Sequence, residues 1–265
     1  MTPIDLFKRS HATIRANLAL AARRRRRRRA APVMPALHYL EFLVVAVAVV
    51  GFCALLLDAP VAAGRAHYPA WLTDTAQMLT RLGKSDWILI PSGVILILLT
   101  FRRIEGLSPA ARLRIFRWNL WLSYIFVGVG LPSLISTLVK RVIGRARPLH
   151  FDALGPYDFS PFHTDASFAS FPSGHATTVG ALAMVLSIVA PKYRTFFLAA
   201  ALVIGGTRIA IGAHYPSDVA GGLLFGAAVA YFVARLAAAH GLMFLDKASP
   251  WPELRPAFRL SRRAQ

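Results

Sequence analysis

Three short clusters hold nearly all the reactive side chains of an otherwise apolar sequence: Lys140 followed after six residues by Arg147 and Pro148; Pro172, Ser173, Gly174 and His175; and Thr207 and Arg208 followed after five residues by His214 and after three more by Asp218. Lys140, Arg147 and Arg208 are an ammonium and two guanidinium forks, a set that suits a tetrahedral oxyanion such as phosphate. Seven residues along a helix turn through about 700°, so Lys140 and Arg147 return to within roughly 20° of one face. Pro148 works against a helix reaching Arg147, because it pushes the preceding residue toward an extended conformation. The Pro172-Ser173-Gly174 turn sits at the start of an apolar stretch. Free backbone N–H groups there would face the same anion, and the glycine would let it approach closely.

The two histidines supply the reaction. His214 and Asp218 stand one helical turn apart, so the carboxylate can hold one ring nitrogen, fix the tautomer and leave the other nitrogen as a nucleophile. His175 is then the general acid that protonates the leaving oxygen. The two rings must begin in opposite protonation states, which predicts a bell-shaped pH profile. A metal held by His175, His214 and Asp218 is disfavoured by the three cations expected beside it.

These clusters need elements to hold them at one place, and the composition says which. Of 265 residues, 56% are hydrophobic and 16% charged, too oily for an ordinary soluble domain. The net charge of +19 would suggest nucleic acid on a soluble protein, but with this hydrophobicity it points to a membrane, and no nucleic-acid partner is expected. The lone Cys53 excludes an intramolecular disulfide and a cysteine metal cluster. Six stretches approach the roughly 20 apolar residues that a bilayer core demands. They run over Ala36–Leu57, Trp87–Phe101, Trp118–Val139, His175–Ala190, Thr195–Gly212 and Val219–Ala234. The expected fold is therefore all-α, a six-span transmembrane bundle over residues 36–240 between basic tails at 1–35 and 241–265.

Six spans put both tails on one side. That side carries 23 of the Lys and Arg residues and the other side eight, so the tails are predicted to be cytoplasmic and all three clusters to lie at the outer face. The run Arg23–Arg29 reads as a topogenic or anionic-lipid-binding tail. Basic residues, an apolar run and then Ala62, Ala63 and Gly64 also have the order of a signal peptide, though the leader would be unusually long. Several polar residues take plainer readings. His38, His67, His150 and His240 are interfacial; Arg141 and Arg145 snorkel to headgroups; Asp152, Asp158 and His163 solvate a loop; the C-terminal segment with Trp251, Pro252 and Arg255 to Arg263 lies at the interface.

Taken together and in order, Lys140-x6-Arg147-Pro148, Pro172-Ser173-Gly174-His175 and Arg208-x5-His214-x3-Asp218 resemble the three-part signature of the type 2 phosphatidic acid phosphatase superfamily, which also includes glucose-6-phosphatase and the vanadium haloperoxidases. The resemblance is close from Lys140 to Asp218 and looser over the six-span layout. It implies that Lys140, Arg147 and Arg208 bind phosphate with help from Ser173 and the Gly174 amide, that His214 forms a phosphohistidine oriented by Asp218, and that His175 protonates the leaving group. It implies no metal and no cofactor. Thr207 stands where the third motif usually has Ser, and it keeps the hydroxyl. A haloperoxidase activity does not fit, since those relatives are soluble and these motifs lie among spans.

The expected activity is thus hydrolysis of a lipid phosphomonoester or diphosphate at the outer face of a bacterial cytoplasmic membrane. Bacterial origin is read from the Arg, Ala and Pro bias together with the resemblance. The family suggests undecaprenyl diphosphate, phosphatidylglycerol phosphate, phosphatidic acid or lipid A as substrate. The 23 residues from Leu149 to Phe171 include six aromatic side chains and join the first two motifs. Such a loop at a bilayer surface either gates lipid entry or anchors at the headgroups. Two alternatives stand beside hydrolysis: transfer of the phosphoryl group from His214 to a second lipid, and a transporter or binder that keeps the cations but has no need of the His214 and Asp218 pair.

Overall fold

The computed structural model describes residues 36–102, 104, 106–245 and 251–258. The Arg23–Arg29 run, the expected N-terminal tail and the last residues of the C-terminal one lie outside them. The structure is built almost wholly of helices: α1 (Ala36–Phe52), α2 (Asp58–Gly64), α3 (Ala70–Leu79), α4 (Asp86–Phe101), α5 (Pro109–Ile143), α6 (Phe151–Leu154), α7 (Gly174–Val189), α8 (Arg194–Ala210) and α9 (Pro216–Ala239). A π-helical turn over Cys53–Leu57 joins α1 directly to α2, and a short turn over Thr80–Gly83 joins α3 toward α4.

Among the described residues, four helical stretches are long and apolar enough to cross a membrane: Leu40–His67, Ala70–Phe101, Pro109–Ile143 and Pro216–Ala239. The other two expected spans are α7 and α8, only 16 and 17 residues long. The second and third stretches outrun their expected limits. Residues 70–83, read as an outer loop, are helical, and so is Pro109 onward, where a basic inner loop was expected. Ser108 explains the early start of α5: its hydroxyl accepts from Ala111 N–H, and Pro109 fills the first helical position.

The packing centre is the crossing of α7 and α9, which only glycine permits. A Cβ on Gly226 would sit 2.1 Å from the Thr177 carbonyl oxygen, and one on Gly180 would sit 2.4 Å from that of Leu223. In lipid, where apolar surface gains nothing by meeting more apolar surface, such close backbone approach is a main source of helix association. Below the crossing, Tyr124, Val185, Ile188, Ala234 and Phe244 form the apolar core. Phe244 belongs to the segment read as an interfacial tail. It lies in a two-residue strand, β1 (Phe244–Leu245), paired antiparallel with β2 (Glu253–Leu254), and meets Tyr124 edge to face at 5.0 Å. The described part of this segment, with Phe244, Leu254 and Phe258, is therefore packed rather than laid on a surface.

Candidate active site

All three clusters come together at the end of the bundle where α5 finishes and α7 and α9 begin. Lys140 occupies the last turns of α5. The helix then stops at Gly144, whose φ of 64° and the Ser160 carbonyl oxygen 1.9 Å from where a Cβ would stand both require glycine. Arg147 therefore lies outside the helix, in extended backbone (φ −80°, ψ 163°) before Pro148. Shared helical phase does not bring Lys140 and Arg147 together; the turn at Gly144 does. Backbone bonds from Ala146 N–H to Asp158 O (3.0 Å) and from Arg147 N–H to Ser167 O (2.9 Å) clamp the strand-like segment in place.

Ser173 caps α7 with its side chain accepting from Ala176 N–H, while its own N–H donates to Asp218 O at 3.0 Å. Gly174 leaves room for a cation: a Cβ there would stand 2.9 Å from Lys140 Nζ. The ammonium thus sits over the N-terminus of α7, where backbone donors and the helix dipole already favour an anion. His175 follows on the same turn. The charges that act on it are Arg208, His214, Lys140 and Lys84.

Arg208 ends α8 and is held by a side-chain bond to Thr80 Oγ1 at 3.0 Å. The N–H groups of Ala213 and His214 both return to the Arg208 carbonyl. Thr207 turns its hydroxyl back to the Ile204 carbonyl, so that group serves the helix and not the site. His214 is almost fully buried and Asp218 completely so. Nδ1 of His214 lies 3.6 Å from Asp218 Oδ2. That oxygen also accepts from Ser170 Oγ (2.5 Å) and Tyr215 N–H (2.9 Å). Burial lowers the His214 pKa; Asp218 pulls it back up, and Arg147 and Arg208 push it down again. The net direction is downward, which favours the neutral imidazole, with Nδ1 toward a carboxylate.

Nε of Arg147 and Nε of Arg208 are buried without a hydrogen-bond partner, as are those of Arg117 and Arg194 elsewhere in the structure, but only Arg147 and Arg208 stand among the three clusters. Burying a charged donor without an acceptor is costly, and a phosphoryl oxygen is the acceptor that this chemistry requests.

The sequence reading missed three contributors. Arg145 does not snorkel: it is 4% exposed and bound by Asp58 and Asp218 at 2.8 and 2.6 Å. Asp58, at the end of the first apolar stretch, is fully buried. Ser170 supports Asp218 from the long loop. The Arg145-x-Arg147 spacing was the available signal, because adjacent residues of an extended segment face opposite ways while alternate ones share a side, so either arginine could serve the site and the other support it. Asp152 and His163 behave as expected of loop polar residues, Asp152 meeting Arg65 at 3.4 Å and His163 packing on Phe168. Among the described residues no cluster of His, Cys, Asp and Glu has the arrangement of a metal site.

Residues 121–241 match the model of the PAP2 superfamily. The lipid A 1-phosphatase of Rhizobium etli is 40% identical over 223 residues, covering 83% of this chain and 94% of that protein. The chain belongs to the PAP2 superfamily. It is a phosphatase, within the hydrolases of that superfamily. The lipid A 1-phosphatase of Rhizobium johnstonii is also 40% identical, over 85% of this chain and 92% of its own length. Phosphatidylglycerophosphatase B of Bacillus subtilis is 27% identical over 62% of this chain and 74% of that protein. A crystal structure of the transmembrane PAP2-type phosphatidylglycerolphosphate phosphatase from Bacillus subtilis gives a TM-score of 0.48 at 24% identity, covering 74% of this chain and 91% of that one.

Proposed function

We propose that this PAP2 phosphatase removes the 1-phosphate of lipid A at the outer face of a bacterial inner membrane, with both chain ends cytoplasmic and all six expected segments, α7 and α8 included, crossing the bilayer. Near full-length similarity to two lipid A 1-phosphatases favours lipid A over undecaprenyl diphosphate, phosphatidylglycerol phosphate and phosphatidic acid. A lipid substrate also suits the apolar cavity of about 490 Å³ between α1 and α9, which reaches Phe171 and Pro172, the two residues before Ser173.

The observation that carries the reading is the pair of buried, unpartnered guanidinium Nε donors beside a neutral His214 backed by Asp218. Lys140, Arg147, Arg208, Ser173 and the Gly174 amide hold the phosphoryl oxygens. Nε2 of His214 forms a bond to phosphorus as the bond from phosphorus to the lipid oxygen breaks, and His175 gives that oxygen its proton. The imidazole becomes cationic and Asp218 stabilises it. Water then attacks phosphorus, the N–P bond breaks, and the water's proton goes to His175. No step calls on a metal.

Purified protein given lipid A, phosphatidic acid and undecaprenyl diphosphate in separate micelles, with chelator present, should release phosphate from lipid A fastest. It should also trap an acid-labile phosphoenzyme that His214→Ala abolishes. Loss of turnover in chelator overturns the metal-free route. A phosphoryl group found on an acceptor lipid instead of in water favours transfer, and phosphate analogue binding without any release favours a binder or transporter.

A further inference from the structure

The first helix is nearly bare of packing yet delivers one buried charge. From Leu40 to Leu57 its side chains are exposed or half-buried and apolar apart from Glu41, whereas Asp58, where the π-helical turn gives way to α2, is 0% exposed. A π-turn shifts the phase of the helix and re-aims the residues beyond it. Asp58 Oδ1 accepts from Ser217 N–H at 2.9 Å; Oδ2 accepts from Ser217 Oγ and from an Arg145 terminal nitrogen at 2.8 Å. The other terminal nitrogen of Arg145 donates to Asp218 Oδ1 at 2.6 Å and to Ser217 Oγ at 2.7 Å. Arg145 is completed by the Pro156 carbonyl and by the face of the Tyr215 ring, 4.5 Å away. One guanidinium is thus shared between two carboxylates, and only Asp218 touches His214.

Buried ion networks of this kind add little net stability over apolar packing, so where their charge is placed matters more. Arg145 alone with Asp218 would be a neutral pair, and the cation that forms on His214 during attack would face a carboxylate already satisfied. With Asp58 engaging the far side of the guanidinium, the three groups sum to one negative charge, and Asp218 is the carboxylate of the two that lies against His214.

We infer that Asp58 is a positioning residue of the reaction: through Arg145 it leaves Asp218 negative enough to stabilise the imidazolium of His214, so the first helix is part of the catalytic machinery and not only an anchor. The inference rests on the phosphohistidine reading above. The charged and titratable groups that act on His214 are Asp218 from α9, Arg147 from the segment after α5, Arg208 from α8 and His175 from α7. Asp58 and Arg145 reach it only through Asp218.

The test is Asp58→Asn in the full chain, which keeps the shape and removes the charge, assayed for phosphate release from phosphatidic acid and lipid A micelles. The expected result is a roughly ten-fold or larger fall in kcat, a KM within about three-fold of the parent, and an acid limb of kcat/KM displaced to lower pH. The double change Asp58→Asn with Arg145→Gln restores the sum of one negative charge and should return the acid limb to the parent's position, giving a non-additive cycle. Parent values of kcat and acid limb in Asp58→Asn overturn the inference, and so does a loss of kcat with the acid limb unmoved, which is what damaged packing alone would give. If Asp58→Asn does not fold, the double variant decides: an acid limb at the parent's position supports the charge balance and a displaced one overturns it. A parent that hydrolyses neither lipid overturns the lipid A reading above, a result distinct from a parent that works and a variant that matches it.

Discussion

The pair α7 and α9 and the first helix α1 represent two ways of belonging to this molecule. Between α7 and α9, Gly180, Gly222 and Gly226 let backbones touch, and a Cβ on any of the three would meet a backbone oxygen of the other helix or its cap. Along α1 and the π-helical turn that follows it, the side chains Val44, Val45, Val47 and Leu55 are mostly exposed, as suits a helix dissolved in hydrocarbon. Its firm attachments lie at one end, through Asp58 and through the Ala54 carbonyl, which accepts from Tyr157 Oη at 2.6 Å. The pair shows tolerance set by shape, and the first helix shows tolerance everywhere except where a charge is lodged.

The largest expected effect lies on the side of the pair. His214→Ala, which removes the proposed nucleophile just before α9, should lower phosphate release on the order of 10⁴-fold with analogue binding largely kept, measured by single-turnover assay and equilibrium binding. Residual activity within ten-fold of the parent would mean that some other group attacks phosphorus. Next comes Arg208→Lys, which keeps the charge and loses the fork; about 10²-fold in kcat/KM is expected, and equal activity would show that the bidentate geometry is idle. Gly226→Ala pushes a methyl against Thr177 O and should cost about 1–3 kcal/mol in a detergent melt. Val44→Ala on α1, by contrast, should stay within about 0.5 kcal/mol. If the two melts shift alike, the contrast between shape-limited and lipid-dissolved helices is wrong. The finest test is the pH profile. Protonated His214 has no lone pair to attack with, so kcat/KM rises with pH through its pKa. Burial lowers that pKa, placing the rise below the ordinary imidazole value of about 6.5. An acid limb above that value would contradict a buried, neutral nucleophile.

Legibility in the sequence divides along the same line. His214 and Asp218 were readable as neighbours from their four-residue spacing, although His214 lies in the bend before α9 and not on a helical turn, and Ser173 and Gly174 because a polar turn before an apolar run starts a helix. Arg145 was not, because its meaning lies in Asp58, 87 residues earlier, and in a carbonyl of an irregular loop at Pro156. Asp58 was hidden by its position, one residue beyond an apolar stretch that looked complete at Leu57. The helical reach of Lys140 toward Arg147 was a reasonable phase argument, undone by a left-handed glycine between them. The pairing of Phe244 with Leu254 lacks any period long enough to read, since two-residue strands show no alternation.

The backbone bond from Ser173 to the Asp218 carbonyl ties the start of α7 to the start of α9, immediately beside the proposed proton donor His175 on one and Asp218, the proposed partner of the nucleophile, on the other. The two proposed roles therefore ride on a single mount. A bilayer that thickens or thins would tilt that mount as a body, changing how deep the phosphate must sink to reach it while leaving the spacing of the two imidazoles alone.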